Sequence, residues 1–141
     1  MHTAAVNAAL RIRREVLAEL QERTQREPAR ECCGLLAGRD AIITQILPAT
    51  NAASDPATGY EIAPQELFRF VREIRAGGLE LMGIYHSHPN GKNEPSARDI
   101  EQAYYPDVAY FILSPRTDAV RPVRAFAIQG GISTEIEIQA I

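Results

Sequence analysis

The run Leu79-Glu80-Leu81-Met82-Gly83-Ile84-Tyr85 is largely apolar and passes without a break into His86-Ser87-His88-Pro89. Bounded by Gly77-Gly78 and Pro89, it reads as a strand from Leu79 to His88, held in a sheet. Side chains alternate along a strand, so His86 and His88 face one side and Ser87 the other. Pro89 to Glu94 is a polar loop, and Pro95 or Ser96 opens a helix through about Tyr104. Ser96 and Asp99 stand at i and i+3 on that helix. So short a loop folds the helix back beside the strand end and carries Asp99 toward the imidazoles. Two imidazoles and a carboxylate then meet within fourteen residues of sequence. Three protein ligands leave a tetrahedral ion one open position, the arrangement of a catalytic zinc rather than a structural one.

The rest of the chain supplies elements to hold this unit. Leu10 to Ile12 reads as a short strand, and Arg13 to Gln25 as a helix with Val16, Leu17 and Leu20 on one stripe. Cys33 to Ala37 and Ala41 to Leu47 form a hairpin around Gly38-Arg39-Asp40. Residues 48–59 are a loop, after which Tyr60 to Ile62 pairs briefly. Pro64 opens a helix to about Ala76 with Leu67, Phe68, Val71 and Ile74 at helical spacing. Val108 to Leu113, Pro122 to Gln129 and Ile132 to Ile138 are strands, the last two joined by Gly130-Gly131. The expected fold is α/β: one mixed sheet flanked by helices.

Length and charge bound the function. A chain of 141 residues suits one domain spanning residues 1–141, with a core of its own. The net charge of −3 offers no broad basic field, so nucleic acid is not an expected partner. Apolar runs such as Ala41-Ile42-Ile43 are only a few residues long, far short of a membrane span. No charged-then-apolar leader pattern opens the chain, and a cytoplasmic location is expected. The only cysteines, Cys32 and Cys33, are adjacent, which rules out a disulfide framework and fits a reducing compartment. Adjacent side chains diverge in a strand, so a shared zinc is not expected of them; at least one has a buried, apolar role. His2 is assigned nothing.

Each part of the motif has a plainer reading when taken alone. H-x-H is two polar residues at a strand end. Ser-x-x-Asp after a loop is a capping box, although Asp99 can cap and bind metal at once. Glu31, before Cys32-Cys33-Gly34-Leu35-Leu36, is a solvated glutamate at a strand start. There is no G-x-S-x-G elbow, no P-loop and no deaminase H-x-E with P-C-x-x-C.

Taken together, Glu31, His86, His88, Pro89, Ser96 and Asp99 closely resemble the JAMM, or MPN-plus, metalloprotease family. Its signature is a distant glutamate followed by H-[ST]-H-P-x(6)-S-x(2)-D. Glu-Cys-Cys-Gly-Leu-Leu-Ala-Gly around the acid, Asn51 opening the loop and Gly-Ile-Tyr before the histidines fit too. The resemblance spans about residues 9–137. It implies a cytidine-deaminase-like JAMM/MPN fold. It also implies one zinc on His86, His88 and Asp99 with water as fourth ligand, and cleavage of amide or isopeptide bonds after the Gly-Gly tail of ubiquitin-like proteins. The compact length is similar to that of bacterial and archaeal members. Bacterial members of this size process ubiquitin-like sulfur-carrier proteins, the partner class favoured for this chain.

On that reading Glu31 takes a proton from zinc-bound water and returns it to the leaving amine, and Ser96 donates to the oxyanion. The Gly-Gly tail would lie extended along a groove walled by Asn51 to Ile62 or Pro89 to Glu94. Two alternatives stay open: a non-catalytic MPN-type binding or scaffold module, and a zinc amidohydrolase acting on a small-molecule amide. The C-terminal run Ile136-Glu137-Ile138-Gln139-Ala140-Ile141 pairs either with a second copy, giving a homodimer, or inside the sheet.

Overall fold

The computed structural model describes residues 9–141; His2 lies outside them. Eleven elements follow in order: β1 Leu10–Ile12, α1 Arg14–Arg26, β2 Cys33–Arg39, β3 Ile42–Ala49, α2 Pro64–Ala76, β4 Glu80–Ser87, α3 Ala97–Glu101, β5 Ala109–Leu113, β6 Val123–Gln129, β7 Ile132–Ile136 and β8 Ile138–Ala140. The strands form one mixed sheet in the order β7-β6-β5-β4-β2-β3-β1-β8. Parallel pairs join β4 to β5, and β1 to both β3 and β8; the other neighbours are antiparallel. The expected mixed sheet with flanking helices is therefore present.

The two edge strands are consecutive in the chain. β7 and β8 lie at opposite ends of the strand order, yet only Glu137 separates them. One residue spans less than about 4 Å, so the two edges must meet and the sheet must curl back on itself. Ile136 pairs with Ala125 of β6 and Ile138 with Leu10 of β1. The expected single strand Ile132 to Ile138 is thus broken in two at Glu137. Within the chain, the C-terminal run closes onto β1 through Ile138–Ala140.

Each face of the sheet carries a core. On the concave side α1 buries Val16, Leu20 and Thr24, at i, i+4 and i+8, against Ile12, Leu36, Ile43, Tyr85, Phe111 and Ala125. On the other side α2 buries Phe70 and Ile74 against Leu35, Leu47, Ile84, Tyr110 and Phe126. The inward stripe of α2 is Leu67, Phe70 and Ile74; Phe68, expected on it, is 64% exposed with the Arg72 guanidinium over its ring. The stripe is rotated by one helical position because Phe70 fills the space above β4. The helix from Ser96 is also shorter than expected and ends at Glu101.

The centre of the sheet has no room to slip. Gly34 of β2 lies directly opposite Tyr85 of β4. A Cβ there would stand 2.5 Å from the Leu47 carbonyl oxygen and 2.6 Å from the Tyr85 ring. Only glycine lets Tyr85 lie across β2 between its two neighbours. That close approach fixes the β2–β4 register in which Cys33 faces His86.

Candidate metal centre

β4 ends at the centre of the sheet, buried between β2 and β5. His86 sits on its last turn of pleat with 1% of its surface exposed. His88 lies just beyond the assigned strand, but its N–H still donates to the Leu113 carbonyl at 2.9 Å. The alternation therefore continues, and both rings turn to one side with their Nε2 atoms 3.1 Å apart. Tyr60 stacks on the outer face of His86, with ring centroids 4.4 Å apart and planes 17° from parallel.

Asp99 arrives from α3, and the capping box aims it. Ser96 Oγ accepts from the Asp99 N–H at 3.1 Å, while Asp99 Oδ2 accepts from the Ser96 N–H at 2.9 Å. The same carboxylate places Oδ1 3.1 Å from His86 Nε2 and Oδ2 3.1 Å from His88 Nε2. Capping and convergence on the imidazoles coexist in one side chain. Asn93 holds the intervening loop down by donating to the Arg121 carbonyl at 2.7 Å.

Glu31 reaches the same place from far away in sequence. It lies two residues before β2, whose Cys33 pairs with His86, so the register brings it beside the end of β4. It is 7% exposed and lines a cavity of about 240 Å³ together with His88, Ser96 and Asp99. Its backbone N–H donates to the Pro56 carbonyl at 2.7 Å, and its carbonyl accepts from Asn51 Nδ2 at 2.9 Å. The structure thus brings together all five residues that the sequence singled out.

The electrostatics divide the groups. Burial raises the Glu31 carboxyl to about 7, with Asp99 adding to the rise and His88 and Arg98 opposing it. Burial also pushes Asp99 up, but bonds from both histidines and the Ser96 N–H outweigh it and hold the carboxyl well below the usual range. His86 is pushed down by complete burial, which outweighs the help of Asp99. His88 is desolvated too, but its bonds to Asp99 and to the Lys92 carbonyl carry it above its ordinary value. We read the centre as an ionised Asp99 facing a neutral His86.

These donors fit a small divalent cation. His88 Nδ1 lies 2.8 Å from the Lys92 carbonyl, an acceptor only, so that nitrogen carries the hydrogen. In the neutral ring Nε2 is then bare and faces a carboxylate oxygen and a second imidazole. Lone pairs gathered at 3.1 Å repel unless a cation or a proton lies among them. Tetrahedral zinc with bonds near 2.0–2.1 Å separates its ligands by roughly 3.3 Å, close to what is observed. Two histidines and one carboxylate also form a zinc donor set that leaves one position open. Cys32 and Cys33 are buried, free thiols outside this group; Cys32 packs into the concave core.

Three neighbours escape a reading of the sequence. Tyr60 comes from a loop that the bridge Asn51–Ile62 and the bonds of Asn51 to Gly59 and Glu61 position. Arg98 and Gln102 line the cavity and continue it outward past Gly59 and Tyr60. Their i, i+4 spacing beside Asp99 is the one signal the sequence carries for them.

Comparison with known proteins agrees with this architecture. A desampylase of Haloferax volcanii is 36% identical over 117 residues, covering 82% of this chain and 84% of its own. A probable TtuB-protein conjugate cleaving protease of Thermus thermophilus is 38% identical over 112 residues, covering 79% and 73%. A solution structure of a Desulfitobacterium hafniense protein superposes with a TM-score of 0.80 at 26% identity, over 93% of this chain and 92% of its own. A JAB1/MPN domain protein of Archaeoglobus fulgidus shares the fold, with a TM-score of 0.64 at 16% identity over 96% and 99%. The family described as prokaryotic homologs of the JAB domain matches residues 13–129. That span takes in every element bearing on the centre, and the chain belongs to this family.

Proposed function

We propose that this chain is a zinc-dependent protease of the JAMM type. Its substrate is an amide or isopeptide bond that follows the C-terminal Gly-Gly of a ubiquitin-like or sulfur-carrier protein. The observation that carries the proposal is the convergence of His86, His88 and Asp99 ligand atoms beside a buried Glu31 in one cavity. A relative named for cleaving protein conjugates supports the substrate class. No described helix is long and apolar enough to cross a membrane.

In this reading His86, His88 and Asp99 hold the zinc. Zinc when bound supplies a water acidified to near neutrality and polarises the scissile carbonyl. Glu31 takes the proton from the attacking water and passes it to the departing nitrogen, which leaves as an amine. A buried carboxyl in the same cavity as the ligand atoms is placed for both tasks. Ser96 Oγ already accepts from the Asp99 N–H, so its own hydrogen is free to donate to the developing oxyanion. Gly59, Tyr60, Arg98 and Gln102 line the cavity beside the centre.

The test is intact-mass analysis of small Gly-Gly carrier proteins, each extended by one amino acid or a short peptide. Each is incubated with the zinc-loaded enzyme and with Glu31→Gln. Loss of the extension with the intact enzyme alone is the expected result. No cleavage of any carrier by enzyme with zinc bound would sink the substrate assignment.

A further inference from the structure

Ser87 stands between the two histidines but points to the opposite side of β4, and it is completely buried. A buried hydroxyl needs partners, and those of Ser87 lie on both sides of Glu31. Ser87 Oγ accepts from the Cys32 N–H at 2.9 Å and donates to the Arg30 carbonyl at 3.3 Å. The Ser87 backbone N–H adds a bond to the Cys32 carbonyl at 3.0 Å. From the other direction, Asn51 Nδ2 donates to the Glu31 carbonyl and to the Gly59 carbonyl, both at 2.9 Å. Asn51 Oδ1 accepts from the N–H groups of Ala53 at 2.9 Å and Glu61 at 3.2 Å. All of its amide's principal bonding capacity is used.

We propose that Ser87 and Asn51 are positioning residues that hold the Glu31 base in register with the metal ligands. The inference rests on reading Glu31 as the base. Glu31 precedes β2 and lacks the ladder that fixes the histidines. Ser87 supplies the missing link from the ligand strand itself, so base and ligands share one rigid reference. Asn51 extends the same grip to the loop from Ala52 to Glu61, which walls the cavity. The peptide groups of residues 30–32 are therefore gripped from the ligand strand and from the cavity-wall loop.

The test uses the zinc-loaded enzyme and the extended Gly-Gly carrier that it cleaves. Ser87→Ala removes the clamp and leaves the ligands, the cavity wall and the β4 ladder in place. It should keep one zinc per chain and a KM within about twofold, while kcat falls roughly 10- to 100-fold. Hydrogen exchange at the Cys32 amide should speed up in the same variant. Ser87→Thr, which keeps the hydroxyl, should bring kcat back to within a few fold of the parent. Asn51→Asp keeps the shape and the oxygen that accepts from Ala53 and Glu61 but turns a second oxygen toward the Glu31 carbonyl; it too should lower kcat with zinc retained. A Ser87→Ala enzyme with kcat unchanged overturns the proposal. So does loss of zinc together with activity, because Ser87 would then act on the ligands. Glu31→Gln is measured alongside. Full activity there refutes the base assignment and this inference with it; an inactive Glu31→Gln beside a normal Ser87→Ala refutes this inference alone.

Discussion

The two halves of the centre are built by different means. His86, His88 and Asp99 come from one short stretch, a strand end and a capped helix start, and local geometry alone aims them. Glu31 lies 55 residues before His86 and arrives through the β2–β4 register and a set of bonds to its backbone. The ligand half needs only alternation and a capping box. The base half needs the whole sheet to be in the right register. On the proposed assignment, binding of metal and activation of water depend on different parts of the fold, and the two should fail separately.

The largest expected effect is in the ligand half. His88→Ala or Asp99→Ala should reduce zinc to well below one equivalent per chain and bring cleavage to background. Normal zinc content by atomic emission in either variant would break the ligand assignment. Next comes Glu31→Gln, which should keep zinc and lower kcat by about 10²- to 10⁴-fold. The same variant carries a stability signature. A carboxyl raised from 4.5 unfolded to about 7 folded holds its proton more tightly when folded, so stability falls as pH rises between those values. Glu31→Gln should therefore stabilise the metal-free protein at pH 8, on the order of 2 kcal/mol, and hardly at all at pH 4.5. Equal denaturation midpoints at pH 8 would contradict the burial argument.

Ser96→Ala touches both halves at once. It should keep zinc, cost about 1 kcal/mol through the lost cap and lower kcat by about 10²-fold or more. A loss of stability with kcat intact would reduce Ser96 to its cap. The smallest effect concerns the residues after Glu31. Burial raises the Cys33 thiol to about 12, and its side is only 2% exposed. Native protein at pH 8 should resist alkylation at Cys33 until it is unfolded. Rapid labelling would mean that the segment carrying the base opens, and that its register is looser than drawn.

What could be read from the sequence follows the same division. The strand to His88, the turn and the helix start at Ser96 obey short-range rules, so the convergence of His86, His88 and Asp99 was legible. Glu31 was named through a family resemblance; its own neighbours give it no distinction. Tyr60 was illegible because its stack on His86 depends on how Asn51 and Ile62 close the loop, through a bridge and side-chain bonds that local sequence does not reveal. On α2 the sequence offers two phenylalanines two residues apart, and either could complete an apolar stripe. Only the space above β4 selects Phe70 and leaves Phe68 outside. The break at Glu137 was hidden because Ile136, Ile138 and Ala140 carry one apolar alternation across it. The change of partner from β6 to β1 is a property of the curled sheet.

That change of partner sets an order of events during synthesis. Every residue of the centre lies between Glu31 and Asp99, and the strands that carry it are complete by Leu113. The stretch from Ile132 to Ala140, which joins β6 to β1, leaves the ribosome last of the described elements. β1 and α1 precede the other described elements, and they must wait for it with Val16 and Leu20 poorly sheltered. The chemical parts can therefore be assembled before the fold is sealed. A fault in the last strands would leave a nascent chain that holds its ligands but exposes an apolar seam to chaperones and proteases.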